Sequence, residues 1–187
     1  WRERPAIIAK ACGLPQAGAA IAFEQRVEID RSQFRYAPNL DAVIRYASGP
    51  VDLIGIESKF SEPFSTRAHA GMKAAYLGAS CTEFWSGFPA LKKLAAKMCP
   101  DNRAYTVLDA PQLLKHILGL SRNAKKKFQL LYIYYAVLGH AGTTHADEIE
   151  DFIAVAKQDG VPVRALTYED LLVRFLLAVG AADSATL

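Results

Sequence analysis

Residues 39–60, NLDAVIRYASGPVDLIGIESKF, contain two largely apolar stretches separated by the turn-forming segment Ser-Gly-Pro at 48–50. Apolar and β-branched runs on either side of such a turn predict a β-hairpin. If the turn is centred on Gly49, residues whose numbers sum to 98 lie opposite each other, so that Asp41 faces Glu57. The hairpin is the local structure on which the fold prediction rests.

The predicted register places charged side chains together. Residues opposed in an antiparallel pair project to the same face, and Lys59 joins Asp41 and Glu57 because it lies two residues beyond Glu57. Two carboxylates with Cβ atoms about 5 Å apart repel each other unless a cation lies between them. Asp52 is separated from Glu57 by an odd number of residues, so we assign it to the opposite face and to the turn. The alternative is structural: an ordinary Glu57–Lys59 pair, with Asp41 capping the strand start.

Composition narrows the class of protein. With 187 residues, 51% of them hydrophobic and 22% charged, the chain can bury one well-filled core, and we expect one globular domain. The formal charge of +3 permits a nucleic-acid partner without requiring one. The three cysteines are widely spaced and predict neither a disulfide framework nor a zinc site. Because no membrane span or signal peptide is recognisable, the expected location is the cytoplasm.

The remaining elements predict a mixed α/β sheet flanked by helices. A first strand precedes the hairpin and completes an antiparallel meander, and a later strand–helix–strand unit predicts a parallel pair. Asp109 followed by Ala-Pro predicts a helix start. The predicted strands are 19–29, the two hairpin strands, 128–138 and 161–166, and the predicted helices are 69–77, 90–98, one after Asp109, 145–159 and 168–179.

An aspartate followed, after a gap, by Glu-x-Lys on the next strand resembles the PD-(D/E)xK nuclease superfamily, whose restriction-endonuclease-like fold has an α-β-β-β-α-β core. The matching residues are Pro38 to Asp41 and Glu57-Ser58-Lys59. The resemblance implies that Asp41, Glu57 and the backbone carbonyl of Ser58 bind Mg²⁺ or Mn²⁺, and that Lys59 positions or activates the attacking water. Oxygen ligands of this kind suit Mg²⁺. The implied reaction is hydrolysis of phosphodiester bonds in nucleic acid, in DNA rather than RNA.

The same resemblance implies further residues. Many members carry another acidic residue upstream, for which Glu24 and Glu28 are the candidates, although either also fits an exposed strand charge. Gln112, four residues before His116, resembles a Gln-x-x-x-Tyr element of some relatives with His in place of Tyr, although a helix with one polar face is the preferred interpretation. The expected domain is 1–187, with room for an N-terminal helix missing before Trp1.

Basic residues between the third helix and the next strand could contact phosphates, although such runs usually form solvated loops. They are Arg122, Lys125, Lys126 and Lys127. His140 and His145 are expected at an exposed helix entry. A homodimer is compatible with the resemblance. Two other functions stay open: a catalytically inactive member of the fold that binds nucleic acid or a protein, and a small α/β domain whose acids serve folding alone.

Overall fold

The computed structural model describes residues 5–15, 18–64, 70–125 and 127–184, with side chains described to residue 180. The five strands are β1 (Ala19–Arg26), β2 (Asn39–Tyr46), β3 (Leu53–Lys59), β4 (Phe128–Tyr134) and β5 (Val163–Thr167). The α-helices are α1 (Pro5–Ala11), α2 (Pro89–Lys97), α3 (Ala110–Asn123), α4 (His140–Gln158) and α5 (Tyr168–Ser184). Three short 3₁₀ segments lie at Glu62–Phe64, Ala74–Leu77 and Ala79–Trp85.

The strands form one mixed sheet in the order β1-β2-β3-β4-β5. The meander β1-β2-β3 is antiparallel, whereas β3-β4 and β4-β5 are parallel. The predicted hairpin register is confirmed, because Ala42 pairs with Ile56 and Ile44 with Ile54. The mixed α/β architecture is therefore confirmed, and β3, which carries Glu57 and Lys59, lies at the centre of the sheet.

Helices cover both faces of the sheet, which explains why β3 and β4 are nearly continuous in apolar residues. Helices α2, α3 and α4 lie over one face, with α3 against β3 and β4. Helices α1 and α5 pack together on the other face. The Asp109 side chain accepts a hydrogen bond from the Gln112 N–H, so the predicted cap of α3 is confirmed. The cap fixes the start of α3, and packing against β3 and β4 fixes which of its side chains contact β3.

Several predicted elements differ from the structure, among them the first strand, which ends at Arg26 rather than at 29. The helix predicted at 69–77 is wrong in its described part, where Ala74–Leu77 is a 3₁₀ turn. A Cβ on Gly71 would lie 1.9 Å from the Pro100 carbonyl oxygen, so this segment packs against another loop rather than coiling on itself. Strand β4 ends at Tyr134 rather than at 138. Packing against another loop decides the conformation around Gly71, which local propensity does not report.

Helix α4 begins at His140 rather than at 145. The residue that precedes the helix, Gly139, has φ +88°, a left-handed conformation that glycine adopts without strain. A Cβ on Gly142 would lie 1.6 Å from the Val137 carbonyl oxygen, so glycine is required where the first turn approaches the preceding loop. The earlier start places His145 inside the helix, buried with 1% exposure, and the expected exposure of His145 is wrong.

Glu148 of α4 fastens the loop before α3. Its carboxylate accepts the backbone N–H groups of Thr106, Val107 and Leu108 at 2.6–2.9 Å. Burial, the largest single influence, raises the pKa of Glu148, but these hydrogen bonds together hold the pKa below its usual value. The carboxylate therefore ties α4 to the loop that leads into α3.

Replacing Glu148 with alanine should lower the free energy of unfolding by about 2–4 kcal/mol, because three N–H groups lose their acceptor. Urea unfolding at pH 7 measures this loss, with the exposed Glu150→Ala on the same helix as control. Since a lowered carboxyl pKa stabilises the fold above the unfolded pKa, the difference between parent and variant should shrink as the pH falls through the folded pKa. A difference that is constant from pH 7 to pH 3 would contradict this account.

Candidate active site at the end of strand β3

Glu57 is a buried carboxylate held between a lysine and a histidine. It is 1% exposed, and its Oε1 lies 2.6 Å from the Lys59 Nζ. Its Oε2 lies 3.0 Å from Nε2 of His116, which is also 1% exposed. These last two atoms are in contact without hydrogen-bonding geometry, and each lacks a hydrogen-bond partner among the described residues. A charged cluster thus lies inside the sheet on the face that α3 covers.

The charges of Glu57 and Lys59 stabilise each other. Burial alone raises the pKa of Glu57, but His116 and Lys59 together outweigh burial and hold that pKa below its usual value. Burial likewise lowers the pKa of Lys59, and the neighbouring charge of Glu57, followed by that of Asp41, raises it overall. Glu57 is therefore ionised and Lys59 protonated at neutral pH.

Asp41 lies beside this pair but is turned toward the backbone. Its Oδ2 accepts the N–H of Ser58 at 2.7 Å, and the side chain is half-buried. Burial raises the pKa of Asp41, and the charge of Glu57 raises it further, so the two carboxylates repel each other. The carboxylate also borders an apolar cavity on the α1 and α5 face, lined by Ile56, Phe23 and neighbouring residues. Asp41 and Glu57 therefore do not simply share one face of the sheet, as the hairpin register predicted.

A break in strand alternation explains the position of Asp41. Leu40 and Val43 are three residues apart and should project to opposite faces, yet both pack into the core beneath α3. Leu40 reaches that face above Gly55, where an added Cβ would lie 2.8 Å from its Cδ1. The regularity of β2 therefore ends between Leu40 and Val43, and Asp41 occupies the irregular point.

Glu24 lies next to Asp41 on the other side of β2. Its neighbours Phe23 and Gln25 pair with Ala42 and Leu40, which places Glu24 across from Asp41. Glu24 has φ +50°, a left-handed conformation that is uncommon for residues other than glycine and often marks a functional site. The carboxylate is exposed, accepts the Asn39 side-chain N–H at 2.5 Å, and adds to the pKa rise of Asp41.

Helix α3 contributes the remaining candidate residues. Gln112 lies one turn before His116, and both line a cleft of about 450 Å³ next to Asn39. Sequence reasoning favoured a helix with one polar face and so missed the burial of His116 against Glu57. The four-residue spacing was the only available signal, because it places both side chains on one side of a helix.

The predicted basic run lies away from this cluster. The carboxylate of Asp52 accepts the backbone N–H groups of Lys125 and Lys127, in line with its assignment to the turn. Since Lys127 precedes β4 and Tyr132 pairs with Glu57, the run is about 16 Å from Glu57 along the strand. Arg122 pairs with Glu83 at 3.5 Å, and Lys126 lies outside the described residues. The run lies at the opposite end of the sheet from Lys59.

Within the described part of the chain, no group of three or more His, Cys, Asp or Glu side chains is arranged to hold a metal ion. The carboxylates of Asp41 and Glu57 are near enough for their charges to interact, and Asp41 accepts the N–H of Ser58. The raised pKa of Asp41, which burial and the charge of Glu57 cause, is a feature that a divalent cation would relieve. Hard oxygen donors of this number suit Mg²⁺, which usually keeps several waters.

A mixed five-stranded sheet with a charged cluster at the end of its central strand is consistent with a restriction-endonuclease-like protein. The family model "Restriction Endonuclease associating with ARP" matches residues 2–172, and the chain belongs to this family. The match supports a restriction-endonuclease-like fold. Searches of curated proteins and of solved structures returned no significant match. Among the described residues, no helix combines the length and the apolar character that a membrane crossing needs.

Proposed function

We propose that the chain is a divalent-metal-dependent nuclease of the PD-(D/E)xK type that hydrolyses phosphodiester bonds of DNA. The observation that carries this proposal is the buried Glu57–Lys59 pair with Asp41 beside it. Charged side chains rarely lie in a central strand, because removing them from water costs several kcal/mol per ion even after relaxation. Since a well-packed apolar pair is often as stable, a catalytic role explains these charges better than folding does.

Asp41, Glu57 and the Ser58 carbonyl would hold the metal, which supplies a Lewis acid for the phosphate and lowers the pKa of a bound water. Lys59 stabilises the negative charge that develops on the phosphate oxygens as the water oxygen bonds to phosphorus and the leaving oxygen departs. The contact with Glu57 keeps Lys59 protonated and oriented for this task. His116 supports Glu57 from the helix side.

Metal binding tests the proposal directly. A ligand at ten times its Kd stabilises the folded state by about 1.4 kcal/mol, so millimolar Mn²⁺ or Mg²⁺ should raise the Tm by about 3–6 °C. Cleavage is assayed on single-stranded, duplex and branched DNA, with the corresponding RNAs for comparison. No stabilisation and no cleavage of any substrate would contradict the nuclease proposal. Light scattering on the same samples tests the homodimer.

A binding domain is the second candidate, favoured by apolar side chains on α5. Leu172, Val173, Leu176 and Leu177 are 58–71% exposed and recur at helical spacing. Most of them lie beyond the residues that the family model matches, and the family's description names association with ARP. A folded protein that neither binds metal nor cleaves, but binds ARP through α5, would support this candidate instead.

A further inference from the structure

The cleft beside His116 has the composition of a nucleotide-binding subsite. It lies between the segment before β2 and the first turns of α3, and its volume is about 450 Å³. Its basic side chains are Lys73 and Lys115, and its carboxylate is Asp109, which also caps α3. Neither lysine lies within ion-pair distance of a carboxylate among the described residues. The cleft therefore presents free cations next to the candidate active site.

Two polar groups in this cleft, one partly and one fully buried, remain available to a ligand. Lys115 is partly buried, and burial is the main reason that its pKa is lowered; Asp109 opposes the shift and Lys73 adds to it. A bound anion would stabilise the charged form of Lys115 and so oppose the lowering of its pKa. His116 is 1% exposed, and its Nδ1 has no hydrogen-bond partner in the described part of the chain.

Tyr36 supplies an aromatic surface at the rim. It is 71% exposed, and the guanidinium of Arg35 lies 5.2 Å from its ring centroid. The ring of Phe34 stacks on the mostly buried Tyr76 at 4.2 Å and so anchors the segment, leaving Tyr36 directed outward. An exposed, anchored aromatic ring next to cations is the usual arrangement for stacking an unpaired base.

A second cleft, of about 470 Å³, lies on the other side of the same segment and shares Tyr36 and Asn39. Its arginines and carboxylates are equal in number, so it is less basic than the first. The arginines are Arg26, Arg31 and Arg35, and the carboxylates are Glu24, Glu28 and Asp30. Both volumes are those of small-molecule pockets, which accommodate individual nucleotides but exclude a duplex.

We propose that these clefts bind an unpaired segment of a nucleic-acid strand, with a base stacked on Tyr36 and phosphates at Lys73 and Lys115. This inference rests on the proposed nuclease function and specifies its substrate as single-stranded. The strand passes Asn39 and reaches His116 and Glu57. The duplex end of a branched substrate would then remain outside the clefts.

The test measures binding without cleavage, by fluorescence anisotropy of labelled oligothymidylate, oligouridylate and duplex DNA in EDTA. Tyr36→Ala should weaken single-strand binding about tenfold, whereas Tyr36→Phe, which keeps the ring, should bind like the parent. Tyr135→Ala is the matched control, because Tyr135 is 39% exposed but stacks on Phe60 at 4.8 Å. Lys73→Gln and Lys115→Gln should each make the binding less sensitive to salt. The slope of the logarithm of the binding constant against the logarithm of the salt concentration should fall in magnitude by about 0.7.

The proposal is supported if loss of the Tyr36 ring weakens binding of either oligothymidylate or oligouridylate. Comparison of the two oligonucleotides then shows whether DNA or RNA is preferred. Unchanged single-strand binding by Tyr36→Ala, or an equal loss on duplex, would overturn it. The two hypotheses fail separately. The nuclease proposal fails if the parent shows neither a metal-dependent rise in Tm nor cleavage of any substrate, whereas the strand-binding inference fails on anisotropy alone.

Discussion

Lys59→Ala is expected to reduce metal-dependent cleavage by roughly a hundredfold or more, the usual cost of removing one preorganised group that stabilises transition-state charge. Its Nζ is 2.6 Å from Glu57 Oε1 and its side chain is 19% exposed, so the truncation removes a mostly buried cation that is already positioned. Binding of oligothymidylate in EDTA should fall far less than cleavage, because Lys59 does not line the strand-binding clefts. The measurement is single-turnover cleavage at saturating Mn²⁺.

Two further variants separate chemistry from folding. Lys59→Ala removes the cation that pairs with the buried Glu57 and will lower the Tm, so thermal unfolding is measured in parallel. Lys59→Arg keeps the ion pair and the fold, but its planar guanidinium cannot occupy the position of an ammonium, and cleavage should still fall. Lys97→Ala, an exposed lysine in the last turn of α2, is the control. Parent-like cleavage by Lys59→Ala at an unchanged Tm would exclude the proposed role.

The second large effect is expected from Asp41→Asn, which should abolish both cleavage and the Tm increase caused by Mn²⁺. The amide oxygen still accepts the Ser58 N–H, so the hairpin is preserved while one metal-binding charge is lost. Without metal, the variant should be as stable as the parent or more stable at pH 7, because the repulsion from Glu57 disappears. Calorimetry with and without Mn²⁺ measures both quantities.

The pH dependence has a defined sign. The folded pKa of Asp41 is raised by burial and by Glu57, so the ionised carboxylate destabilises the fold above that pKa. The advantage of Asp41→Asn over the metal-free parent should therefore shrink as the pH falls through the raised pKa. Asp52→Asn is the matched control: it weakens the contacts to Lys125 and Lys127 and lowers the Tm, yet keeps the full Mn²⁺ shift. A parent-like Mn²⁺ shift in Asp41→Asn would remove Asp41 from the metal site.

Much of the hairpin could be predicted from local sequence. Turn chemistry at Gly49 and the period of two set the register, which the pairing of Ala42 with Ile56 confirms. The same reasoning assigned Asp52 to the turn, where it accepts backbone N–H groups. The cap at Asp109 was also readable, because a side-chain cap depends on residues within one turn.

Contacts between segments that are distant in the chain could not be predicted from local sequence. The helix predicted at 69–77 and the start of α4 were wrong, because Gly71 and Gly142 pack closely against Pro100 and Val137. The alternation of β2 was also predicted wrongly at Leu40, because its side chain packs on the α3 face above Gly55. The direction of the adjacent Asp41 changes with it. Regular alternation is the default of a strand, and only packing against α3 reveals where it breaks.

The sequence by itself determined the meander, its register and the placement of Glu57 and Lys59 on one face of β3, since all three depend on backbone periodicity over a short span of chain. Tertiary structure decided the rest of the site. It placed His116 3.0 Å from Glu57, turned Asp41 to the Ser58 N–H, and moved the basic run to the opposite end of the sheet. The physical reason is that burial and charge pairing depend on which helix covers β3, and that is settled only when the whole core packs.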